Sequence, residues 1–145
     1  MTDYTGLPNL VAGDVLEPSS AALIVDYECE AAVTKGQAVY LSSDGKVSPA
    51  TSAQNCMGIA TKTGAVGDKI GVVVRGRVKV AVGGAITRNS RVYGGDASGR
   101  VLAIAEQAVD EGGTAKYSIY YSRGFAKAEH SASSAGDLIS IIAGV

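Results

Sequence analysis

Tryptophan is absent, phenylalanine and histidine occur once each, and charged residues make up only 19% of the 145 positions. Each shortage excludes something. With so few rings, a core must be assembled from Ala, Val and Ile, and burial at roughly 25 cal/mol per Å² then yields little per position. A modest core, supplemented by contacts with partner chains, is the expectation. Lys and Arg number 13 against 14 Asp and Glu, a net charge of −1. Phosphate neutralisation supplies most of a nucleic-acid binder's affinity. Without a basic excess or a local Lys/Arg run, neither nucleic acid nor an anionic membrane is an expected partner. The longest apolar runs, such as Ala21 to Val25 and Ile70 to Val74, are too short to span a bilayer. Met1-Thr2-Asp3-Tyr4 has neither the basic start nor the following apolar stretch of a secretion signal, so synthesis in a cytoplasm is expected.

Chemistry is scarce as well. Cys29 and Cys56 match no metal or redox spacing and read as buried free thiols, with a disulfide between them as the alternative. His130 would carry any histidine chemistry alone, and its Ser, Ala, Lys and Glu neighbours mark a solvated face. Asp44, Asp68, Asp96 and Asp110 sit in glycine-containing turns, where a carboxylate caps local backbone donors. Nothing in their spacing selects a pair for acid–base work. Gly45-Lys46 is followed by Val47, and position 40 is Tyr40, so no phosphate loop forms there. Gly64-Ala65-Val66-Gly67 opens a strand and not a helix. No enzyme and no cofactor are expected.

What is present is the punctuation of strands. Nineteen glycines separate short apolar runs. Ala22 to Tyr27 is rich in apolar and β-branched residues. Ala38-Val39-Tyr40-Leu41 and Lys46-Val47-Ser48 flank an Asp44-Gly45 turn, a strong hairpin signal that Pro49 closes. Gly58 to Thr61 follows, then a turn over Gly64 to Asp68. Ile70 to Val74 reads as a buried strand interrupted by Gly76. From Arg77 to Val82 the alternation is strict, with Val78, Val80 and Val82 on one face. Arg75, Arg77 and Lys79 share the other, a candidate basic contact face. Val101 to Ala105, Tyr117 to Tyr121 and Asp137 to Ile142 are further strands, while Ala126 to Ser134 reads as a short helix or exposed loop. Val39-Tyr40 with Gly45-Lys46-Val47 returns as Val92-Tyr93 with Gly99-Arg100-Val101, one residue longer in its turn. That is either a hairpin duplication or the shared grammar of hairpins. Both place two alike hairpins facing each other in one small unit.

The expected fold is therefore all-β: a small β-barrel or sandwich of roughly eight to ten short strands over residues 21–145. Residues 1–20 carry Pro8, Pro18, Gly6 and Gly13 and form no regular element, yet they are too apolar for a solvated tail. They read as an extended N-terminal arm, with Tyr4, Leu7, Leu10, Val11, Val15 and Leu16 as candidate contacts to another surface; the alternative is simple packing on the chain's own domain.

Four pieces, in order, resemble the small glycine-rich family of phage capsid decoration (cement) proteins. They are Val33 to Tyr40, Cys56 to Ala60, Gly67 to Val78, and Val92-Tyr93 with Gly99-Arg100-Val101. Gln37 stands where that pattern has an acidic residue after Gly36. The likeness covers about half the chain, from Ala31 to Ile104, and leaves both ends outside. It implies a β-rich module on the outer surface of a virion, bridging major capsid protein subunits, often as a homotrimer, with no cofactor or catalytic residue. A ligand that binds only the assembled lattice stabilises it by linkage, and many weak attachments make that effective. The alternative is a head-fibre or carbohydrate-binding β-module presenting Tyr117, Tyr120 and Tyr121.

Overall fold

A computed structural model describes residues 10–16, 22–52, 54–104 and 124–144. The protein is all-β, with nine strands and no helix among the described residues. β1 (Leu23–Cys29) precedes a hairpin of β2 (Ala38–Ser43) and β3 (Lys46–Pro49). β4 (Cys56–Ala60) and the long β5 (Lys69–Ala81) follow. A second hairpin, β6 (Arg91–Gly94) and β7 (Val101–Ala103), leads to β8 (Ala126–Ala128) and β9 (Leu138–Ala143). The expected Tyr117 to Tyr121 strand lies outside the described residues.

The strands form one sheet in the order β1-β3-β2-β4-β5-β9-β8-β6-β7, and β1 also pairs with β5. That extra pairing closes β1, β3, β2, β4 and the first half of β5 into a five-stranded barrel. The second half of β5 pairs with β9. A parallel bridge from Val82 to Val101 then closes β9, β8, β6 and β7 around it. β5 thus serves both barrels. Gly76, expected to interrupt the strand, instead lies buried inside β5 with φ of 127°, where it is the first residue to pair with β9, directly after Arg75, the last to pair with β1.

Both barrels follow one plan, register included. The antiparallel pairings β2–β3, β2–β4 and β4–β5 recur as β6–β7, β6–β8 and β8–β9. The Val33–Gly64 bridge recurs as Ile86–Ala132, and the parallel step Cys29–Val47 as Val82–Val101. Hydrogen bonds at the strand ends match too. Cys29 and Val82 donate their N–H groups to Asp68 and Asp137 carbonyls, and Glu30 and Gly83 donate to Val47 and Val101. The repeated hairpin seen in the sequence is thus one part of a whole duplicated module. Its two copies do not face each other in one barrel; each belongs to its own.

One strand defeats local propensity. Ala126-Lys127-Ala128 is β8, not helix or loop, and alternates buried, exposed, buried between β6 and β9. Its neighbours in space decide it, as is general for strands. Two apolar clusters of buried side chains occur among the described residues. Cys29, Val33, Val39, Val47, Ala60, Ile70 and Val72 line the first barrel. The larger cluster holds Val78, Val80, Val82, Ile139 and Ile141 of the second barrel, joined by Ala38, Cys56, Ile59 and Val73 from the outside of the first.

Candidate functional site

One four-residue turn recurs five times among the described residues: at 11–14, 34–37, 65–68, 87–90 and 134–137. In each, the fourth N–H donates to the first carbonyl. The third residue is Gly13, Gly36, Gly67, Asn89 or Gly136, all with φ between 74° and 95°. That left-handed position is what a type II turn demands, and glycine or asparagine meets it without strain. In four of the five, an oxygen of the fourth side chain accepts the first N–H. Asp14 takes it from Val11, Gln37 from Thr34, Asp68 from Ala65 and Asp137 from Ser134. The Gly-acid pieces of the sequence are therefore turn locks. Gln37, the departure from the acidic pattern, keeps the lock through its Oε1 and adds a second bond, its Nε2 donating to the Ser98 carbonyl at 3.1 Å.

Residues 10–16 lie along the outer edge of β5. Gly13 donates to the Lys79 carbonyl at 2.7 Å, Lys79 to the Asp14 carbonyl at 2.9 Å, and Leu16 to the Arg77 carbonyl at 3.0 Å. Val15 pairs antiparallel with Val78 at the centre of this contact. Asp14 closes an ion pair with Lys35 of the first module. That lysine, above all through its hydrogen bond, holds the Asp14 carboxyl below the usual aspartate range. Of the candidate surface contacts in this segment, Leu10, Val15 and Leu16 are half-buried and Val11 is exposed. Tyr4 and Leu7 lie outside the described residues.

The expected basic face is mostly occupied by the chain itself. Lys79 has no exposed surface, and its ammonium donates to the Leu10 carbonyl. Arg77 grips both oxygens of Glu129 at 2.9 and 3.1 Å. Only Arg75 of the three is exposed. Strand alternation could not disclose the N-terminal segment over Lys79 or the Glu129 carboxylate on Arg77.

Beside Lys79, Ser140 donates to Glu129 at 2.7 Å and lies 3.1 Å from His130 Nδ1. His130 is thus half-buried and hydrogen-bonded, not fully solvated as its neighbours in sequence implied. The order of groups is wrong for nucleophilic catalysis, which needs the imidazole between serine and acid. Here the serine stands between them, wholly buried. No cluster of three or more His, Cys, Asp or Glu suited to a metal occurs among the described residues.

Both cysteines are free and buried. Burial pushes the Cys56 thiol up to about 11, against a slight pull from the Gly94 N–H. That N–H donates to Cys56 Sγ at 3.2 Å across the junction of the barrels. A methyl group on Gly94 would stand 2.5 Å from Ala38 Cβ and 2.7 Å from Cys56 Sγ, so only glycine fits. These features join the modules; they offer no reacting group to a substrate.

No protein-family model matches the chain, and no curated protein matches it. Among solved structures, the N base of head fiber gp8.5 of bacteriophage phi29 is similar, with a TM-score of 0.57 and 14% sequence identity. The match covers 83% of this chain and 92% of that one. The likeness is one of fold. It spans both modules, since that share of the chain exceeds either alone.

Proposed function

We propose that this chain is a structural protein of a bacteriophage head, acting as a decoration protein on the outer capsid surface. The observation that carries the reading is the likeness in fold to the phi29 head-fiber base over most of both chains. The ordered resemblance to decoration proteins points the same way, as do turn aspartates committed to backbone locks. In this reading the chain bridges major capsid protein subunits, as a homotrimer at their junctions, and stabilises the assembled lattice because it binds nothing else as well. The test is co-sedimentation of the purified chain with heads lacking it, followed by heat challenge. Added chain should bind saturably and raise the temperature at which heads release DNA. Failure to bind would sink the proposal.

The same neighbour favours a second reading, a base that attaches a head fibre. Copy number separates the two: a lattice-wide coat marks decoration, and a few discrete sites mark a fibre base.

A further inference from the structure

The duplicated module supplies an internal template for one edge of the molecule. In the second module, Arg77 and Lys79 turn their backbone groups away from β9, and residues 13–16 pair with them. The matching positions in the first module are Ile24 and Asp26 of β1. Alternation along β1 settles their aim. Cys29 donates toward Asp68 on the β5 side, whereas Glu30 donates to Val47 of β3. Ile24 and Asp26, in phase with Glu30, therefore turn N–H and C=O away from β5. β3 reaches only Glu28 and Cys29. Among the described residues, nothing pairs with Ile24 or Asp26 on that edge. Exposure follows suit: Lys79 is 0% exposed under its covering segment, whereas Ile24 is 37% and Leu23 51% exposed.

Charge identifies what would cover it. At the covered edge the strand contributes a cation, Lys79, and the incoming segment an anion, Asp14, one residue from the Val15–Val78 bridge. At the open edge the signs reverse, because the strand residue is Asp26, exposed and without an ion pair among the described residues. The N-terminal segment of a second copy does not suit this site. No Lys or Arg precedes Lys35 in the sequence, and Asp14 would meet Asp26. We propose that the open edge of β1 docks an extended segment of a different polypeptide. That segment would run antiparallel, with Lys or Arg opposite Asp26 and apolar side chains over Leu23 and Ile24. Unpaired edges are ready templates for such strand addition, where main-chain bonds give affinity and side chains give choice. The inference stands apart from the virion reading, since a free peptide tests it without any capsid.

The test uses the full chain, isotope-labelled for amide NMR, and an acetylated peptide alternating Thr and Val around a central Lys. The control peptide carries Glu at its centre. On adding the Lys peptide, the Ile24 and Asp26 amides should shift and exchange more slowly. The Glu peptide should bind about fivefold more weakly, the scale of one exposed ion pair. Asp26→Lys should reverse that preference, and Ile24→Pro, which removes one edge N–H, should abolish binding of both. Equal affinity for the two peptides would overturn the proposal. So would shifts elsewhere, or protection of the Ile24 and Asp26 amides before any peptide is added.

Discussion

Asp14 and Lys35 stand 2.5 Å apart, carboxylate to ammonium, while the Asp14 carbonyl accepts the N–H of Lys79. One residue therefore ties the N-terminal segment to both modules. Lys35 chiefly holds the Asp14 carboxyl below its ordinary value of 3.8, with the Val11 N–H and Lys79 adding to it and burial opposing. A folded-state pKa below the unfolded one contributes stability above the unfolded value, lost as pH falls through the folded one. The segment should accordingly loosen below about pH 4. Amide exchange at Gly13 and Leu16 should accelerate there beyond the intrinsic change, and Asp14→Asn should show the faster exchange already at pH 6. Unchanged protection in the variant would show that backbone pairing alone holds the segment.

Gln37 has two bonds to lose. Gln37→Glu keeps the acceptor for the Thr34 N–H but turns a second oxygen toward the Ser98 carbonyl, where the amide donated. The cost should be about 1 kcal/mol in urea unfolding at pH 7. Protonation of the introduced carboxyl restores a donor, so the deficit should shrink below about pH 4. A deficit that does not vary with pH would rule out this account.

Gly94→Ala should destabilise by about 1–3 kcal/mol, the usual range for overpacking, because the added methyl meets Ala38 and Cys56 at once. Ala38→Gly removes one of the two clashes, so the double variant should recover part of the loss in a thermal melt. Strict additivity would mean that the two positions do not meet. Modification of Cys56 by a thiol reagent at pH 8 should be slow in the parent, given burial and a pKa near 11, and faster in Gly94→Ala.

Ile59 lies in β4 of the first module but packs into the cluster that fills the second. Ile59→Ala should cost about 2–5 kcal/mol. Because β5 serves both barrels, amide probes in β2 and in β9 should report one shared unfolding midpoint, lowered equally. Separate midpoints would mean that the barrels fold as independent units.

Much of the fold was legible because strands with a buried face announce themselves by alternation. Val78, Val80 and Val82 are buried as their spacing required, and Asp44-Gly45 turns the first hairpin between β2 and β3. The likeness of the two hairpins could be read as well. Its extent could not, since the shared plan resides in pairings such as Cys29–Val47 and Val82–Val101, which join residues distant in sequence.

The amino-acid sequence by itself determined the all-β class, the turn positions and the poverty of catalytic groups, since local φ demands and side-chain chemistry are properties of neighbouring residues. Tertiary structure alone decided that Ala126-Lys127-Ala128 is a strand, that Lys79 is covered and that β5 serves two barrels. Each of those outcomes depends on which distant backbone supplies the hydrogen bonds and which distant surface excludes water, and spacing along the chain encodes neither.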